Sequence, residues 1–433
     1  MNEIETRVPF ATGTVPEVRP DLRSGLAAGW NKTRHTRLPV AACAISIIVL
    51  ALAVDGFRTE WSQLGGMALA ALGAGLAIAW PTARGKIHHG AWIMLVVMGA
   101  PAAIGLAQWF RAASADWAAT ETGILRSLAA ALFCGGLSTL RDSERRDRVM
   151  DALAMVGGLI ALLSLLQSGL AQPLAWWPFP NRNHFAAFCE LLFPMAAWRA
   201  GHHRSGGWQV LPAVALALGG MLSGSRAGLL LLAAEILLLG GWMLRTKRTL
   251  SRGKWLGAVV LSLPLITALL GGEALWTRWR EAPVLLYRDQ IWAASWDLLW
   301  EKPWQGHGLG SFATVYPSAA RFDTGEVVHR AHNDWLEWIV EGGLPAACPM
   351  LLLLALLVPR LKQMPWALGV PAVLAHSLVD YPLHRFSLLL LFGLIATLAL
   401  MESPESLLQR RTRKRLSQKP FGAAESFPAN TLQ

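Results

Sequence analysis

Long apolar runs separated by short polar segments set the rhythm of this chain from Leu38 to Leu400. A run of roughly 20 apolar residues matches the thickness of bilayer hydrocarbon when helical. The pattern predicts helices at about 38–55, 62–80, 91–110, 118–138, 149–169, 184–199, 208–223, 226–244, 255–272, 336–358, 365–382 and 386–402. The expected fold class is therefore all-α, a polytopic membrane protein with about 12 transmembrane helices. The stretch from Trp208 to Leu244 is too long for one span and is interrupted by Ser223-Gly224-Ser225-Arg226, so it reads as two helices meeting in a tight outer turn. One segment breaks the rhythm. Residues 273–335 mix charges, Pro and Gly over a length that predicts a folded outer loop between helices 9 and 10. Within it Trp292, Trp296 and Trp300 recur every four residues between Tyr287 and Lys302, which predicts a helix. Pro303 ends that helix, and Gly306, Gly308 and Gly310 form a tight loop.

Composition agrees and excludes a soluble enzyme: 54% of residues are hydrophobic and only 15% charged, with a positive mean hydropathy. A net charge of +11 would suggest nucleic acid in a soluble protein, but here most Lys and Arg fall in alternate inter-helix segments. With a cytoplasmic amino terminus, the inner segments hold the clusters at Arg141–Arg148, Arg245–Lys254 and Arg410–Lys419, and the outer turns hold few, as the positive-inside rule requires. This divides the chain into a cytoplasmic basic tail at 1–37, a membrane domain at 38–402 containing the outer loop, and a second basic tail at 403–433. The run Arg410–Arg415 suits anionic lipid, not nucleic acid. The first apolar run follows a polar 37-residue segment without a small-residue cleavage site, so it is expected to stay as an anchor. Cys43, Cys134, Cys189 and Cys348 all lie in apolar runs and suggest neither a disulfide framework nor a zinc site. Glu121 and Arg126 fall inside the fourth span, where charges usually face the bundle or a wet cavity.

Four polar clusters are predicted on one outer face: Asn181-Arg182-Asn183-His184, Ser223–Arg226, Arg288-Asp289 with the loop reaching His332-Asn333-Asp334, and His376 to Arg385. A basic mouth on a helix bundle suits a phosphate-bearing substrate arriving from the lipid. Each cluster also has a structural reading. Asn183 and His184 can cap the sixth helix, Arg226 can snorkel to head groups, and His332-Asn333-Asp334 can cap the tenth helix. The glycine loop lacks the preceding buried strand that a dinucleotide site needs. The Trp stripe can pack or stack on sugar rings. His376 and Asp380 lie four apart on one face, a spacing that could bind metal, but two ligands without a third make only a weak metal claim.

Asn181-Arg182-Asn183-His184-Phe185-Ala186, Ser223-Gly224-Ser225-Arg226-Ala227-Gly228, Gly306-His307-Gly308-Leu309-Gly310-Ser311-Phe312 and Ala331-His332-Asn333-Asp334-Trp335-Leu336, followed by Glu341-Gly342-Gly343, resemble the O-antigen ligase and O-antigen polymerase superfamily of bacterial envelopes. The resemblance covers about residues 150–400. His376 to Pro382 is similar to a segment of the branch associated with exopolysaccharide polymerisation.

The resemblance implies a bacterial inner-membrane glycosyltransferase whose loop and active site are periplasmic. Its donor is a glycan on undecaprenyl diphosphate, and its acceptor is a hydroxyl of a saccharide or of a lipid A-core-like molecule. No cofactor and no metal are implied. A sugar hydroxyl attacking an anomeric carbon needs a base, and the departing diphosphate needs cationic donors. By resemblance the base role falls on His332, and the diphosphate contacts fall on Arg226 and Arg288. Arg182, Asn183, His184, Asn333 and Asp334 are the accompanying binding residues. The alternative within the superfamily is a polymerase, whose acceptor is itself carrier-linked. Protein-directed oligosaccharyltransferases usually add a sizeable carboxy-terminal domain, which makes them a poorer match. A twelve-helix transporter is the rival from another class; it would gather its polar residues near the midplane and show two similar halves.

Overall fold

The computed structural model describes residues 65–73, 88–140, 142–170, 178–202, 210–245, 287–321 and 327–402, with a few isolated positions between. The predicted span at 38–55, nearly all of that at 255–272, and both basic tails lie outside the described residues. So does most of the span at 62–80, of which 65–73 is helical. Among the described residues the secondary structure is helical, without a strand.

The helices are α1 His89–Phe110, α2 Trp117–Gly136, α3 Ser143–Leu170, α4 Arg182–His202, α5 Val210–Leu222 and α6 Arg226–Arg245. They continue with α7 Arg288–Glu301, α8 Phe312–Ala319, α9 Asp334–Gly342, α10 Cys348–Leu357, α11 Gly369–His376 and α12 Phe386–Met401. Four helical stretches are long and apolar enough to cross a bilayer by length and composition: His89–Phe110, Trp117–Thr139, Ser143–Gln167 and Arg226–Arg245. The break between α5 and α6 falls at the Ser223–Ser225 turn, where the Ser223 side chain accepts from the Ser225 N–H.

Two spans expected to be continuous are not. The helix expected at 336–358 splits into α9 and α10, because Gly343 adopts φ +73° and a short 3₁₀ turn carrying Pro345 follows. The helix expected over 365–382 is regular only in α11. Beyond His376 the chain turns, and Ser377 and Asp380 give up helical continuation for buried hydrogen bonds.

α12 is apolar all round and consequently sits inside, and the stretch of α4 from Phe185 to Ala197 is buried with it although it carries Glu190. Phe185, Phe188, Leu192 and Phe193 of α4, and Leu391, Phe392 and Ile395 of α12, are buried in the main core. Outer helices keep an exposed apolar face, as at Leu159 and Leu163 of α3 and Leu230, Leu237 and Leu238 of α6. Arg199 at the far end of α4 makes paired 2.6 Å bonds to Asp151 of α3.

A second, smaller core joins Ile291, Leu298, Phe312, Tyr316, Ala331, Leu336 and Val340. It makes residues 287–321 and 327–342 a folded unit resting on the bundle, and it recruits α9, the segment whose hydropathy had marked it as the start of a span. Gly306 and Gly308 have φ +65° and +120°, and a Cβ on Gly306 would lie 2.2 Å from the Glu341 carbonyl oxygen. The loop therefore needs glycine to press its backbone onto α1, α2 and α9. Gln108 of α1 locks it by donating to the carbonyls of Gln305 and Glu341 and accepting from the Leu309 N–H.

Candidate functional site

The residues after α11 and those before α9 meet at Asp380. Its carboxylate is buried and accepts from the Asn183 side chain at the start of α4 and from the Tyr381 N–H at 2.8 Å. Arg288, the first residue of α7, donates Nη1 to the Val379 carbonyl at 2.6 Å and brings Nη2 within 3.5 Å of Asp380. His332 Nδ1 faces the other carboxylate oxygen at 3.9 Å. Thus Asn183 from one sequence cluster, and Arg288 and His332 from another, converge on one carboxylate.

His332 has φ +51°, a left-handed conformation that costs a non-glycine residue roughly 1–3 kcal/mol and persists only where neighbours enforce it. The enforcement is visible on both sides. Ala331 offers its carbonyl to Trp292 Nε1 at 2.9 Å and its N–H to Glu337 at 2.8 Å. Asn333 caps α9 by accepting from the Leu336 N–H, and the Asp334 N–H donates to the Ser377 carbonyl. The result is an imidazole that is half-exposed, edge-on to Tyr381, with Nδ1 buried and lacking a hydrogen bond. Tyr287, immediately before Arg288, is also left-handed at φ +67°.

Beside this lies a fully paired group. Asp334 accepts from Ser377 Oγ at 2.8 Å, from the Leu383 N–H at 3.0 Å and from His384 Nδ1 at 2.5 Å. His384 Nε2 reaches Glu337 at 3.0 Å, and Arg330 meets the same Glu337 oxygen at 2.8 Å. Burial alone would lower the His384 and Arg330 pKa values, but the Glu337 carboxylate reverses that and holds both above their ordinary values.

The remaining nominated residues divide. Asn333 and Asp334 use their side chains inside the protein, as cap and brace. His184 is buried, accepts from Arg385 Nε at 3.2 Å and lies edge-on to Tyr381. It supports the wall around His332. Arg182 opens α4 and is half-buried. Arg226 opens α6, whose Gly228 abuts Ala186 so closely that a Cβ would lie 2.4 Å from the alanine methyl. This puts Arg226 at the end of the bundle that also holds Asn183.

His376 does not team with Asp380 toward a metal. Its Nδ1 bonds Glu190 of α4 at 2.8 Å, and among the described residues no group of three or more His, Cys, Asp or Glu is arranged around a metal position. Glu190 and the nearby Glu235 of α6 are fully buried acids. Sequence reading had singled out neither, since a lone acid in an apolar run does not announce its partner. Of the two charges noted in the fourth span, Glu121 is exposed and Arg126 points inward. The Trp stripe splits likewise: Trp292 packs, whereas Trp296, Trp300 and Trp304 are exposed.

Residues 211–351, about a third of the chain, match the model of a family described as O-antigen ligase, which supports the O-antigen ligase superfamily. The matched segment contains Arg226, Arg288 and His332, while Asn183 and Asp380 lie outside it. No curated protein matches the chain. Four helices of membrane-spanning length and this family match together support a membrane protein similar to the O-antigen ligase and polymerase family.

Proposed function

We propose that the chain transfers a glycan from an undecaprenyl diphosphate carrier to an acceptor hydroxyl at the outer face of the bacterial inner membrane. The single observation that carries this reading is the strained, half-open His332 standing over Asp380 beside Arg288. If Nδ1–H turns toward the Asp380 carboxylate, Nε2 is left to accept a proton, the division of labour that lets an imidazole act as base near neutral pH. In the step, the acceptor oxygen forms a bond to the anomeric carbon and its proton passes to His332. The bond from that carbon to the diphosphate oxygen breaks, and the electron pair leaves with the diphosphate. Arginine, planar and always charged, suits that leaving group. Arg226 and Arg288 are assigned to it, and Asn183 holds Asp380 in place. No step in this scheme calls for a metal.

The acceptor is read as a saccharide on a lipid A-core-like molecule. The reading of a polymerase, with a carrier-linked acceptor, draws on Asp380 itself, because the hub residue belongs to the polymerase-like segment from His376 to Pro382. Purified protein given one carrier-linked glycan and nothing else separates the two. A ladder of longer carrier-linked chains supports the polymerase; product only on adding a core acceptor supports the ligase. Activity abolished by a chelator and restored by a divalent ion would contradict the arginine clamp.

A further inference from the structure

A cavity of about 560 Å³ lies on the other side of the Asp334–His384 brace, and none of the catalytic or binding residues nominated from sequence lines it. Its walls come from α1, α2, the glycine loop, α9, the first turn of α10 and the Leu383-His384 segment. One side is apolar, with Pro101, Ile104, Trp338 and Met350; the other carries Arg126 and Arg330. The volume is that of an ordinary small-molecule site.

Arg126 is the informative residue. It sits midway along a helix of membrane-spanning length, where an arginine is costly unless something is gained by it. Nη2 donates to the Leu383 carbonyl at 2.7 Å, but Nε is buried with no hydrogen-bond partner. Asp116 and Glu341 also line the cavity, yet their hydrogen bonds go elsewhere. Asp116 accepts from the Ala119 N–H at 3.0 Å and the Thr314 hydroxyl at 2.8 Å, and Glu341 accepts from the Phe312 N–H at 3.2 Å. The Ala119 N–H and Thr314 bonds hold the Asp116 carboxyl below its usual pKa. Arg330 keeps one face on Glu337. The guanidinium of Arg126 is thus presented to a space that on one side is polar, with two guanidiniums beside the Asp116 and Glu341 carboxyls, and on the other is greasy. Such a space fits a planar or tetrahedral anion carried on an apolar chain. Exposed Val96, Leu125 and Leu128 on the adjoining helices face the surroundings from which such a chain would come.

The geometry points to a second lipid-binding site, one that takes an amphiphile with a phosphate head, the head on Arg126 and Arg330 and the first part of the chain against Ile104 and Trp338. It is separate from the diphosphate clamp assigned to Arg226 and Arg288 and holds whether or not that assignment does.

Native mass spectrometry of the full chain in zwitterionic nanodiscs tests it, with farnesyl phosphate, farnesol and inorganic phosphate as probes. In an Arg226→Gln/Arg288→Gln background, which removes the other phosphate clamp, one farnesyl phosphate is expected to remain bound and farnesol to bind at least tenfold more weakly. Adding Arg126→Gln should weaken farnesyl phosphate at least tenfold. Thr122→Trp, at an exposed position lining the cavity, should do the same by filling it while leaving the arginines intact. Millimolar inorganic phosphate should fail to displace the probe. Retention of farnesyl phosphate by Thr122→Trp, or by a folded Arg126→Gln protein, overturns the proposal. Displacement by inorganic phosphate would make this a free-anion site and overturn the lipid reading.

Discussion

His332 and His384 stand at two ends of one hydrogen-bonded network, since the Asp334 that binds His384 also donates its N–H to the carbonyl of Asp380, whose carboxylate faces His332. Their surroundings are opposite. His384 is nearly enclosed, with a carboxylate on each ring nitrogen. His332 is half-exposed on a strained backbone, with its carboxylate 3.9 Å away and Nδ1 short of a hydrogen bond. A histidine satisfied at both nitrogens is a brace; one held rigidly but left incompletely bonded is available for chemistry. The difference shows that the same residue type, a few residues from the same acids, takes a role from what is left unpaired around it.

The comparison breaks most visibly at the shared hub. Asp380→Ala strands the Asn183 amide, the Arg288 guanidinium and the Tyr381 N–H in a buried pocket. A loss of about 3–5 kcal/mol is expected, the usual cost of removing one partner of a buried charged pair, together with loss of transfer. Unfolding in a membrane mimetic and an in vitro transfer assay read the two effects. A stable, active variant would mean that the hub organises nothing.

Arg288→Lys sharpens the open side. The charge stays but the fork that spans the Val379 carbonyl and the Asp380 carboxylate is lost, so under the proposed role transfer should fall roughly tenfold or more with little change in unfolding temperature. An unaltered kcat would remove Arg288 from the leaving-group contact.

The enclosed side should show itself in pH dependence. His384 has its pKa raised above the ordinary 6.5 by Glu337 against the opposing effect of burial. A group raised on folding contributes its stability fully below the unfolded value and loses it as pH rises through the folded value. Wild-type stability is therefore expected to decline on the alkaline side, by about 1.4 kcal/mol for each pH unit that separates the folded pKa from the unfolded one. The unfolding temperature should fall with it, and His384→Gln should flatten that decline. The same slope in both proteins would place the titrating group elsewhere.

The smallest effect is expected at the rim. Trp300→Ala removes an exposed ring and should alter stability by no more than about 0.5 kcal/mol, while raising the acceptor KM if the ring stacks on sugar. An unchanged KM would assign Trp300 no part in acceptor binding.

Much of this was legible from the chain. The break at Ser223–Arg226, the helix at Arg288–Glu301 and the glycine loop follow from spacing and turn chemistry, which are local. Asn183, Arg288 and His332 were legible through family resemblance, and their convergence was expected only as a shared face. Asp380 was read with His376 because i and i+4 share a helical face, but the helix ends at His376 and the pairing goes to other segments. Glu337, Arg330 and Glu190 were not singled out: their partners are distant in the chain or belong to a loop, and apolar flanks hide them. The breaks at Gly343 and after His376 were missed for a related reason, since hydropathy runs on through both and reports the surroundings, not the backbone path.

The most direct measurement sets His332→Ala and His384→Ala side by side, each assayed for transfer from a carrier-linked glycan and for unfolding temperature in the same membrane mimetic. His332→Ala should lose roughly two to four orders of magnitude in transfer, the range for a missing general base, and keep its unfolding temperature, since alanine retains the Cβ that makes φ +51° costly. His384→Ala should lower the unfolding temperature well beyond that, because Asp334 and Glu337 lose their shared partner. Near wild-type transfer by a folded His332→Ala protein would contradict the account.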